Sequence, residues 1–367
     1  MQPKSSIVNL PVYQPGKPIE DVKRELGLTE VIKLASNENP FGSSEKAKQA
    51  ILNELQNMSI YPDGASVELA NAIAKHHHVN ANQIVFGAGS DEIILMITRA
   101  FIVAGDETIM ADQTFPQYKH NTDIEGAVCV QVPLVDGKHD LPGMLARITE
   151  KTKVIWVCNP NNPTGTIVSK DELVAFLDQV PKHVLVVLDE AYCEYVKDPS
   201  FPDGLTLLPH YNNLITLRTF SKIYGLASLR IGYGIGDPAV IKLINQVREP
   251  FNTSRMAQAA ALAAIDDQEF IDKCREANAA GIQYLEREFT RLGLTSFPAH
   301  GNFVMFDTKR DAAAVFNELM RKGVITRAGH KLYPTYIRVT VGSQAENTKF
   351  IQALEAVLKE VAAEVVR

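Results

Sequence analysis

The chain has 367 residues, of which 46% are hydrophobic and 22% are charged, so it is long enough for more than one core and is not composed like a disordered protein. The formal net charge of −6 argues against the basic surface that binds nucleic acid. The N-terminus lacks the apolar core of a signal peptide, and apolar runs such as 184–188 are far shorter than the roughly 20 residues of a membrane-spanning helix. We therefore expect a cytoplasmic protein without membrane or nucleic-acid partners.

Two parts of the chain precede residue 266. Residues 1–40 are rich in proline and carry few periodic segments, so we expect them to join a smaller domain or to reach a partner subunit. In residues 41–265, short runs rich in Val and Ile alternate with helical patterns, which indicates a mainly parallel sheet covered on both faces. The predicted strands are 83–86, 107–110, 128–132, 153–158, 184–188, 214–218 and 229–234, and the predicted helices are 91–103, 141–149 and 170–179.

The pattern changes from residue 266 onwards. A long helix is followed by short strands and two further helices, which predicts a smaller α+β domain over 266–367 beside the large α/β domain. The predicted helices are 269–292, 311–321 and 344–365, and the predicted strands are 302–306, 324–327 and 337–341.

Lys222 follows the predicted strand 214–218, and ligands bind at the carboxyl ends of strands in such sheets. Its amine can form a Schiff base with a carbonyl cofactor. A surface lysine is the commoner explanation of a bare Ser-Lys pair. Arg230 lies eight residues further on and begins the predicted strand 229–234, where its planar fork suits a phosphate. A Schiff-base lysine beside a phosphate-binding arginine fits pyridoxal phosphate (PLP).

Asp189 ends the predicted strand 184–188, and Tyr192 follows three residues later. PLP chemistry needs a carboxylate that keeps the pyridine nitrogen protonated, and Asp189 is the candidate. Tyr192 is a candidate donor to the phenolic oxygen of the ring. The alternative for Asp189 is a helix N-cap in a strand-to-helix loop.

The segment 158–165 follows another predicted strand and contains two Asn-Pro pairs and a Thr-Gly pair, which are turn dipeptides. A plain loop is the simple explanation. The functional interpretation gives Asn162 a second hydrogen bond to the phenolic oxygen, with a cis bond before Pro163.

Ser90 and Asp91 follow Gly87-Ala88-Gly89 between a predicted strand and a helix. Glycines let the backbone approach a phosphate, and helix N-terminal amides bind it. Glu92 stands where a dinucleotide-binding loop would need its last glycine, so that class of site is excluded.

These four motifs, in this order, resemble the fold-type I PLP-dependent aminotransferases, and within that group the histidinol-phosphate aminotransferase family. The resemblance covers nearly the whole chain and extends to the stretches 13–18, 34–40, 61–64 and 249–253. It implies a homodimeric enzyme of histidine biosynthesis. The implied reaction interconverts L-histidinol phosphate and 2-oxoglutarate with imidazole-acetol phosphate and L-glutamate.

The resemblance also implies a role for each site residue. Lys222 carries PLP and shuttles the substrate proton, and Asp189 pairs with the pyridinium nitrogen. Asn162 and Tyr192 bind the phenolic oxygen, while Phe115 stacks on the ring. The phosphate ligands are Ser90, Asp91, Thr219, Ser221 and Arg230, and Tyr61 reaches the phosphate across the dimer interface.

Arg338 matches the arginine that binds the substrate carboxylate, although a surface arginine on an edge strand is the alternative. Arg327 and Tyr13 match positions that bind the distal phosphate of histidinol phosphate, and Asn37 is a further candidate near the carboxylate. The loop 329–333 is basic and aromatic, which favours an anionic or an aromatic substrate.

Three other functions share parts of this pattern. An aromatic amino-acid aminotransferase keeps the fold and changes the donor, and a PLP-dependent decarboxylase of a phosphorylated amino acid changes the reaction. A PLP-binding regulatory protein usually carries an added DNA-binding domain, for which this chain has neither spare length nor a basic segment.

No metal site is expected from the three consecutive histidines 76–78, because neighbouring residues do not share one helix face. The four cysteines stand apart and form no Cys-x-x-Cys pair, which fits reduced thiols.

Overall fold

Buried runs of Val, Ile and Leu form the main strands of the computed structural model, which describes residues 1–12 and 16–364. The strands are β1 (Ile32–Lys33), β2 (Ile84–Gly87), β3 (Glu107–Ala111), β4 (Val128–Val132), β5 (Thr152–Cys158), β6 (Leu185–Asp189), β7 (Leu214–Thr219), β8 (Gly232–Gly236), β9 (Thr295–Ser296), β10 (Phe303–Asp307), β11 (Val324–Ile325) and β12 (Tyr336–Thr340). The α-helices are α1 (Ile19–Leu26), α2 (Glu45–Glu54), α3 (Val67–His77), α4 (Ser90–Phe101), α5 (Gln117–Ile124), α6 (Leu141–Leu145), α7 (Lys170–Leu177), α8 (Pro238–Gln246), α9 (Arg255–Ile265), α10 (Gln268–Arg291), α11 (Ala312–Arg321) and α12 (Gln344–Glu364).

Within these described ranges, seven strands form the largest sheet, in the order β2-β8-β7-β6-β5-β3-β4. The pairs from β7 to β4 are parallel, and only β8 runs antiparallel to its neighbours β2 and β7. Cys158 pairs with Asp189, and Asp189 pairs with Leu217, so β5, β6 and β7 end at one edge of the sheet. The mainly parallel α/β sheet that the alternating pattern predicts is confirmed.

Residues of β5 alternate between two cores, one on each face of the sheet. Ile155 and Val157 pack into a core that includes residues of α3, α7 and α9. Val154 and Trp156 pack on the opposite face with residues of α4 and α8. A strand buried on both faces reads as a continuous apolar run, which is why the sequence pattern located β5 so well.

A second set of strands lies in the C-terminal part of the described chain. There β12, β10 and β9 form an antiparallel sheet, and β1 pairs in parallel with β11. Residues of α10, α11 and α12 build a separate core against it. The backbone N–H of Thr340 donates to the carbonyl of Leu34 at 2.9 Å, so the chain after β1 runs beside β12.

The structure corrects the predicted strand 229–234. Ala227–Leu229 form a 3-10 turn, and β8 begins only at Gly232. Arg230 therefore does not begin a strand; it adopts a left-handed conformation with φ of 53°. This backbone turn directs the guanidinium back to the carbonyl of Ala88, to which Nη2 donates at 3.3 Å.

Several helices lay outside the sequence prediction, although their N-caps carry a recognisable signal. The side chains of Ser44, Asp237 and Ser254 each accept a hydrogen bond from a backbone N–H of the first turn of α2, α8 and α9. The predicted helix 141–149 ends at Leu145. Among the described helices, none combines the length and the apolarity that a membrane crossing would need.

We expect Gly232→Ala to destabilise the fold at the start of α4. A Cβ at Gly232 would lie 2.6 Å from the backbone nitrogen of Ser90 and 3.0 Å from the carbonyl oxygen of Arg218. The first group could yield only if α4 moved and the second only if β7 moved, so thermal or urea unfolding should show a loss of about 1–3 kcal/mol.

Gly234→Ala is the matched control, because its added Cβ would meet only side chains, the nearest at 3.2 Å. Equal unfolding free energies for the two variants would contradict the close approach of α4 to β8.

Candidate active site

A cavity of about 830 Å³ opens where β5, β6 and β7 end and α4 begins. It brings together residues that the sequence scatters over most of the chain. The predicted site residues that line it are Asn37, Ser90, Asp91, Phe115, Asn162, Asp189, Tyr192, Thr219, Ser221, Lys222, Arg230, Arg327 and Arg338.

Lys222 projects into this cavity just after β7. Its Nζ donates to the carbonyl oxygen of Ser36 at 3.4 Å and lies 5.6 Å from the ring centroid of Tyr192. Burial lowers the pKa of the amine to about 8, and the nearby positive charge of Arg338 adds to this effect. About a tenth of the amine is therefore neutral and nucleophilic at pH 7, a far larger fraction than for an ordinary lysine.

Asp189 lies at the end of β6 and is only 3% exposed. Its Oδ2 accepts a hydrogen bond from the Tyr118 hydroxyl at 2.6 Å, and Oδ1 accepts one from the backbone N–H of Ala191 at 3.2 Å. Burial raises the pKa of the carboxyl to about 6, while both hydrogen bonds oppose that rise. Asp189 can therefore hold a cationic ring nitrogen at neutral pH.

Tyr118 is a site residue that the sequence did not reveal. It lies in α5, is fully buried, and reaches Asp189 only because β3 and β5 bring α5 beside the end of β6. Its surroundings in the sequence carry no local motif for such a contact. The stretch 113–118, which also contains Phe115, was the only available signal.

The Tyr192 hydroxyl lies between two amides. Its oxygen accepts from Nδ2 of Asn37 at 3.0 Å and from Nδ2 of Asn162 at 3.4 Å. Because the amides use the oxygen as acceptor, the hydroxyl can donate its own proton to a ligand oxygen. The peptide bond between Asn162 and Pro163 is cis, as expected, and the bond between Asn159 and Pro160 is cis as well.

The start of α4 faces a cluster of donors. Nη1 of Arg230 donates to Oγ of Ser221 at 3.3 Å, and a Cβ on Gly89 would lie 2.5 Å from Nη2 of Arg230. The hydroxyl of Thr219 lies beside them and accepts from the backbone N–H of Ser221 at 3.1 Å. Helix N-terminal amides, hydroxyls and a guanidinium together make a site for a phosphate.

Asp91 differs from the other members of this cluster, because its carboxylate is negative and pairs with Arg230 at 3.2 Å. An anion at the start of α4 would be repelled by that carboxylate. We therefore assign any contact with an anion to the backbone N–H of Asp91 rather than to its side chain.

Arg338 lies on β12 and is 9% exposed. Nη2 donates to the carbonyl oxygen of Ala35 at 2.6 Å, and Nη1 donates to Oδ1 of Asn162. Its guanidinium carbon lies 5.3 Å from the ring centroid of Phe303. The backbone N–H of Arg327 donates to the carbonyl of Arg338 at 3.0 Å, which holds the two arginines side by side at the cavity.

His330 also lines the cavity, on the loop after Arg327. Burial, together with the smaller effect of the charges of Arg338 and Arg327, lowers the pKa of its imidazole to about 4. The imidazole is therefore neutral at neutral pH, and the positive charge of this corner comes from the arginines.

Tyr61 and His77, which the sequence analysis named, are not among the described residues that line this cavity. Tyr61 is exposed and stacks on Phe251 with ring centroids 4.7 Å apart. Tyr13 lies outside the described residues. His77 bonds through Nε2 to the hydroxyl of Tyr233 at 2.8 Å, which accounts for its position at the end of α3.

Comparison with known proteins decides the family. The model of the family "Aminotransferase class I and II" matches residues 29–354. The chain belongs to this family. Its fold and its cavity therefore agree with the resemblance inferred from the four motifs.

Named relatives match almost from end to end. The histidinol-phosphate aminotransferase of Brevibacillus brevis is 55% identical over 359 residues, which cover 98% of this chain and 99% of the relative. The histidinol-phosphate aminotransferase of Geobacillus sp. is 51% identical over 361 residues, with coverage of 98% and 99%. The crystal structure of histidinol-phosphate aminotransferase from Sinorhizobium meliloti in complex with pyridoxal-5'-phosphate is 30% identical, with a TM-score of 0.91 and 98% of both chains covered.

We expect Lys222 of the cofactor-free protein to react with an amine-directed acylating reagent with a midpoint near pH 8. Burial disfavours the ammonium form, whereas an ordinary lysine titrates near pH 10.4. Peptide mass spectrometry after short exposure at a series of pH values would measure the profile, with exposed lysines of the same sample as internal controls. A midpoint for Lys222 that coincides with theirs would contradict the described burial.

Proposed function

We propose that the chain is a PLP-dependent aminotransferase that interconverts L-histidinol phosphate and 2-oxoglutarate with imidazole-acetol phosphate and L-glutamate in histidine biosynthesis. The observation that carries the proposal is the convergence of Lys222, Asp189 and Arg338 in one cavity with the anion-binding start of α4. The names of relatives that are 51–55% identical over nearly their whole length support the choice of substrate.

The residues present fit PLP. The backbone at Gly89, which has no side chain, and the donors at the start of α4 suit its phosphate. The proposed ligands are Ser90, the backbone N–H of Asp91, Thr219, Ser221 and Arg230. Lys222 would hold its aldehyde carbon, Asp189 its ring nitrogen, Asn162 and Tyr192 its phenolic oxygen, and Phe115 would stack on the ring. When bound, PLP supplies an electron sink for the bond that breaks at the substrate Cα.

The side chains around the cavity divide the remaining work. The neutral amine of Lys222 would take the proton from the Cα of the donor and deliver it to the C4′ carbon of the cofactor. Tyr192, held by Asn37 and Asn162, keeps its hydroxyl donor fixed. Because the Tyr192 hydroxyl is already held in place, no entropy is lost in ordering it when the ligand binds.

Arg338 serves both half-reactions. On its Cα, L-histidinol phosphate carries a CH2–O–phosphate group in place of the α-carboxylate of L-glutamate, so the same guanidinium faces an anion in each case. A phosphate dianion carries more charge than a carboxylate, and Arg327 beside Arg338 offers the second cation. We assign Arg327, with Tyr13, to the phosphate of the donor, and Asn37 to the neighbourhood of the carboxylate.

The rival aromatic donor loses part of its support in the structure. Tyr333 of the loop 329–333 packs on Phe297 and Tyr336, with ring centroids 5.5 and 5.2 Å apart. The ring of Tyr333 thus packs against other rings of the protein, whereas His330, Arg327 and Arg338 line the cavity. This arrangement favours an anionic donor.

We further propose a homodimer. Exposed apolar side chains occur on both sides of Tyr61 in the chain, between residues 52 and 67, and exposed apolar patches mark interaction surfaces. A second copy of the chain would cover them and bring Tyr61 to the cofactor phosphate of its partner. The patch consists of Leu52, Leu55, Met58, Ile60, Tyr61 and Val67.

We keep the domain division proposed from the sequence, with residues 1–40, 41–265 and 266–367 as its parts, in a cytoplasmic enzyme. The pairing of β1 with β11 supports the link between the N-terminal segment and the small domain. The start of α10 at Gln268 supports the second boundary.

The function is tested by steady-state kinetics with 2-oxoglutarate as acceptor. Histidinol phosphate is expected to give a much larger kcat/KM than phenylalanine or tyrosine. Formation of the ketone imidazole-acetol phosphate, together with L-glutamate, would exclude a decarboxylation reaction. Equal or better rates with the aromatic donors would overturn the assignment of substrate and leave the aminotransferase reaction in place.

We expect Arg327→Gln to separate the donors. Loss of one charge-assisted contact should lower kcat/KM for histidinol phosphate by about 10–100-fold and affect tyrosine much less. Arg338→Gln is the matched control and should weaken both donors. If Arg327→Gln lowers both donors equally, Arg327 does not recognise the phosphate.

A further inference from the structure

Tyr118 is held in place by two aromatic rings and by a hydrogen bond to a buried carboxylate. Its side chain is fully buried and stacks on Trp156 of β5, with centroids 5.0 Å apart and ring planes 8° apart. Phe115 packs edge-on against it at 5.6 Å. These rings fix the direction of the Tyr118 hydroxyl, which donates to Oδ2 of Asp189 at 2.6 Å.

We propose that Tyr118 is a positioning residue that keeps Asp189 ionised and aimed at the ring nitrogen of the cofactor. This inference rests on the proposed function, because it assigns Asp189 to that nitrogen. Tyr118 itself touches neither the cofactor nor the substrate in this scheme; it acts through the carboxylate.

The need for such a residue follows from the surroundings of Asp189. Burial and nearby negative charges favour the protonated carboxyl, which cannot form an ion pair with a pyridinium. The Tyr118 hydroxyl and the Ala191 N–H favour the ionised form, because they donate to the carboxylate. The titratable groups that face Asp189 from the surrounding elements are Tyr118, Cys158, Tyr192, Asp91 and Glu190.

Loss of the Tyr118 hydroxyl would change the pKa of Asp189 in one direction only. A hydrogen bond to the ionised form lowers the pKa of Asp189, so removing the Tyr118 hydroxyl raises it above its present value of about 6. At pH 7 a larger fraction of Asp189 is then protonated. Cofactor binding needs the ionised carboxylate. As the pH is lowered, the variant should therefore lose cofactor affinity at a higher pH than the unaltered protein does.

The protein contains its own probe for this test. Trp156 is the only tryptophan in the chain, and it stacks directly on Tyr118. Its emission should respond when PLP binds next to Asp189. The dissociation constant of PLP can thus be measured on the cofactor-free full-length protein without any assay of turnover.

Tyr118→Phe removes only the hydroxyl and keeps the stacked ring. Tyr211→Phe is the matched control, because the buried Tyr211 also donates to a carboxylate, Oδ1 of Asp178 at 2.7 Å, but lies outside the cavity. PLP binding by both variants and by Asp189→Asn is titrated by Trp156 emission between about pH 5 and 9, beside thermal unfolding of each.

We expect Tyr118→Phe to weaken PLP binding at pH 7 by about tenfold and to move the pH midpoint of affinity upward. Tyr211→Phe should change neither, and Asp189→Asn should bind weakly without that midpoint. An unchanged midpoint in Tyr118→Phe, or an equal loss of affinity in Tyr211→Phe, would overturn the inference. Normal affinity in Asp189→Asn would instead overturn the assignment of Asp189, and this inference with it.

Discussion

Burial of two ionisable groups in one cavity is the constraint on which the site depends. Low polarity pulls the pKa of Lys222 down to about 8 and pushes that of Asp189 up to about 6, so each group moves toward its neutral form. In the proposed function that shift suits Lys222, which would act as a neutral nucleophile and base, and it opposes the role of Asp189, which would have to stay charged. The surroundings differ accordingly: Lys222 donates to one carbonyl and lies near the guanidinium of Arg338, whereas Asp189 receives two hydrogen-bond donors.

The cavity also joins the seven-stranded sheet to the antiparallel sheet of β12, β10 and β9. Asp189 and Lys222 follow β6 and β7 of the large sheet, whereas Arg338 comes from β12 of the antiparallel sheet. Arg338 donates to Asn162 from the loop after β5 and to Ala35 after β1, so the anion-binding corner stands on elements from both parts of the chain. Movement of one part relative to the other would change the distance between Lys222, the proposed base, and Arg338, the proposed ligand of the substrate anion. The hydrogen bonds of Arg338 to Asn162 and Ala35 therefore connect the fold to the proposed chemistry.

The sequence predicted those parts of the fold and site that carry local signals. Buried strands such as β5 and β6 are continuous apolar runs, and Lys222 and Asp189 follow strand ends directly. Tyr118 was missed because its contact with Asp189 depends on how α5 packs across neighbouring strands, which no short motif encodes. The strand start at Gly232 was missed because Arg230 adopts a left-handed backbone that apolar periodicity does not report.

The proposal that Lys222 holds the cofactor is tested most directly by peptide mapping. The protein loaded with PLP is reduced with borohydride, which fixes the cofactor on the lysine that holds it, and the digest is analysed by mass spectrometry. We expect a single modified lysine, Lys222. Modification of another lysine, with Lys222 recovered unmodified, would contradict it.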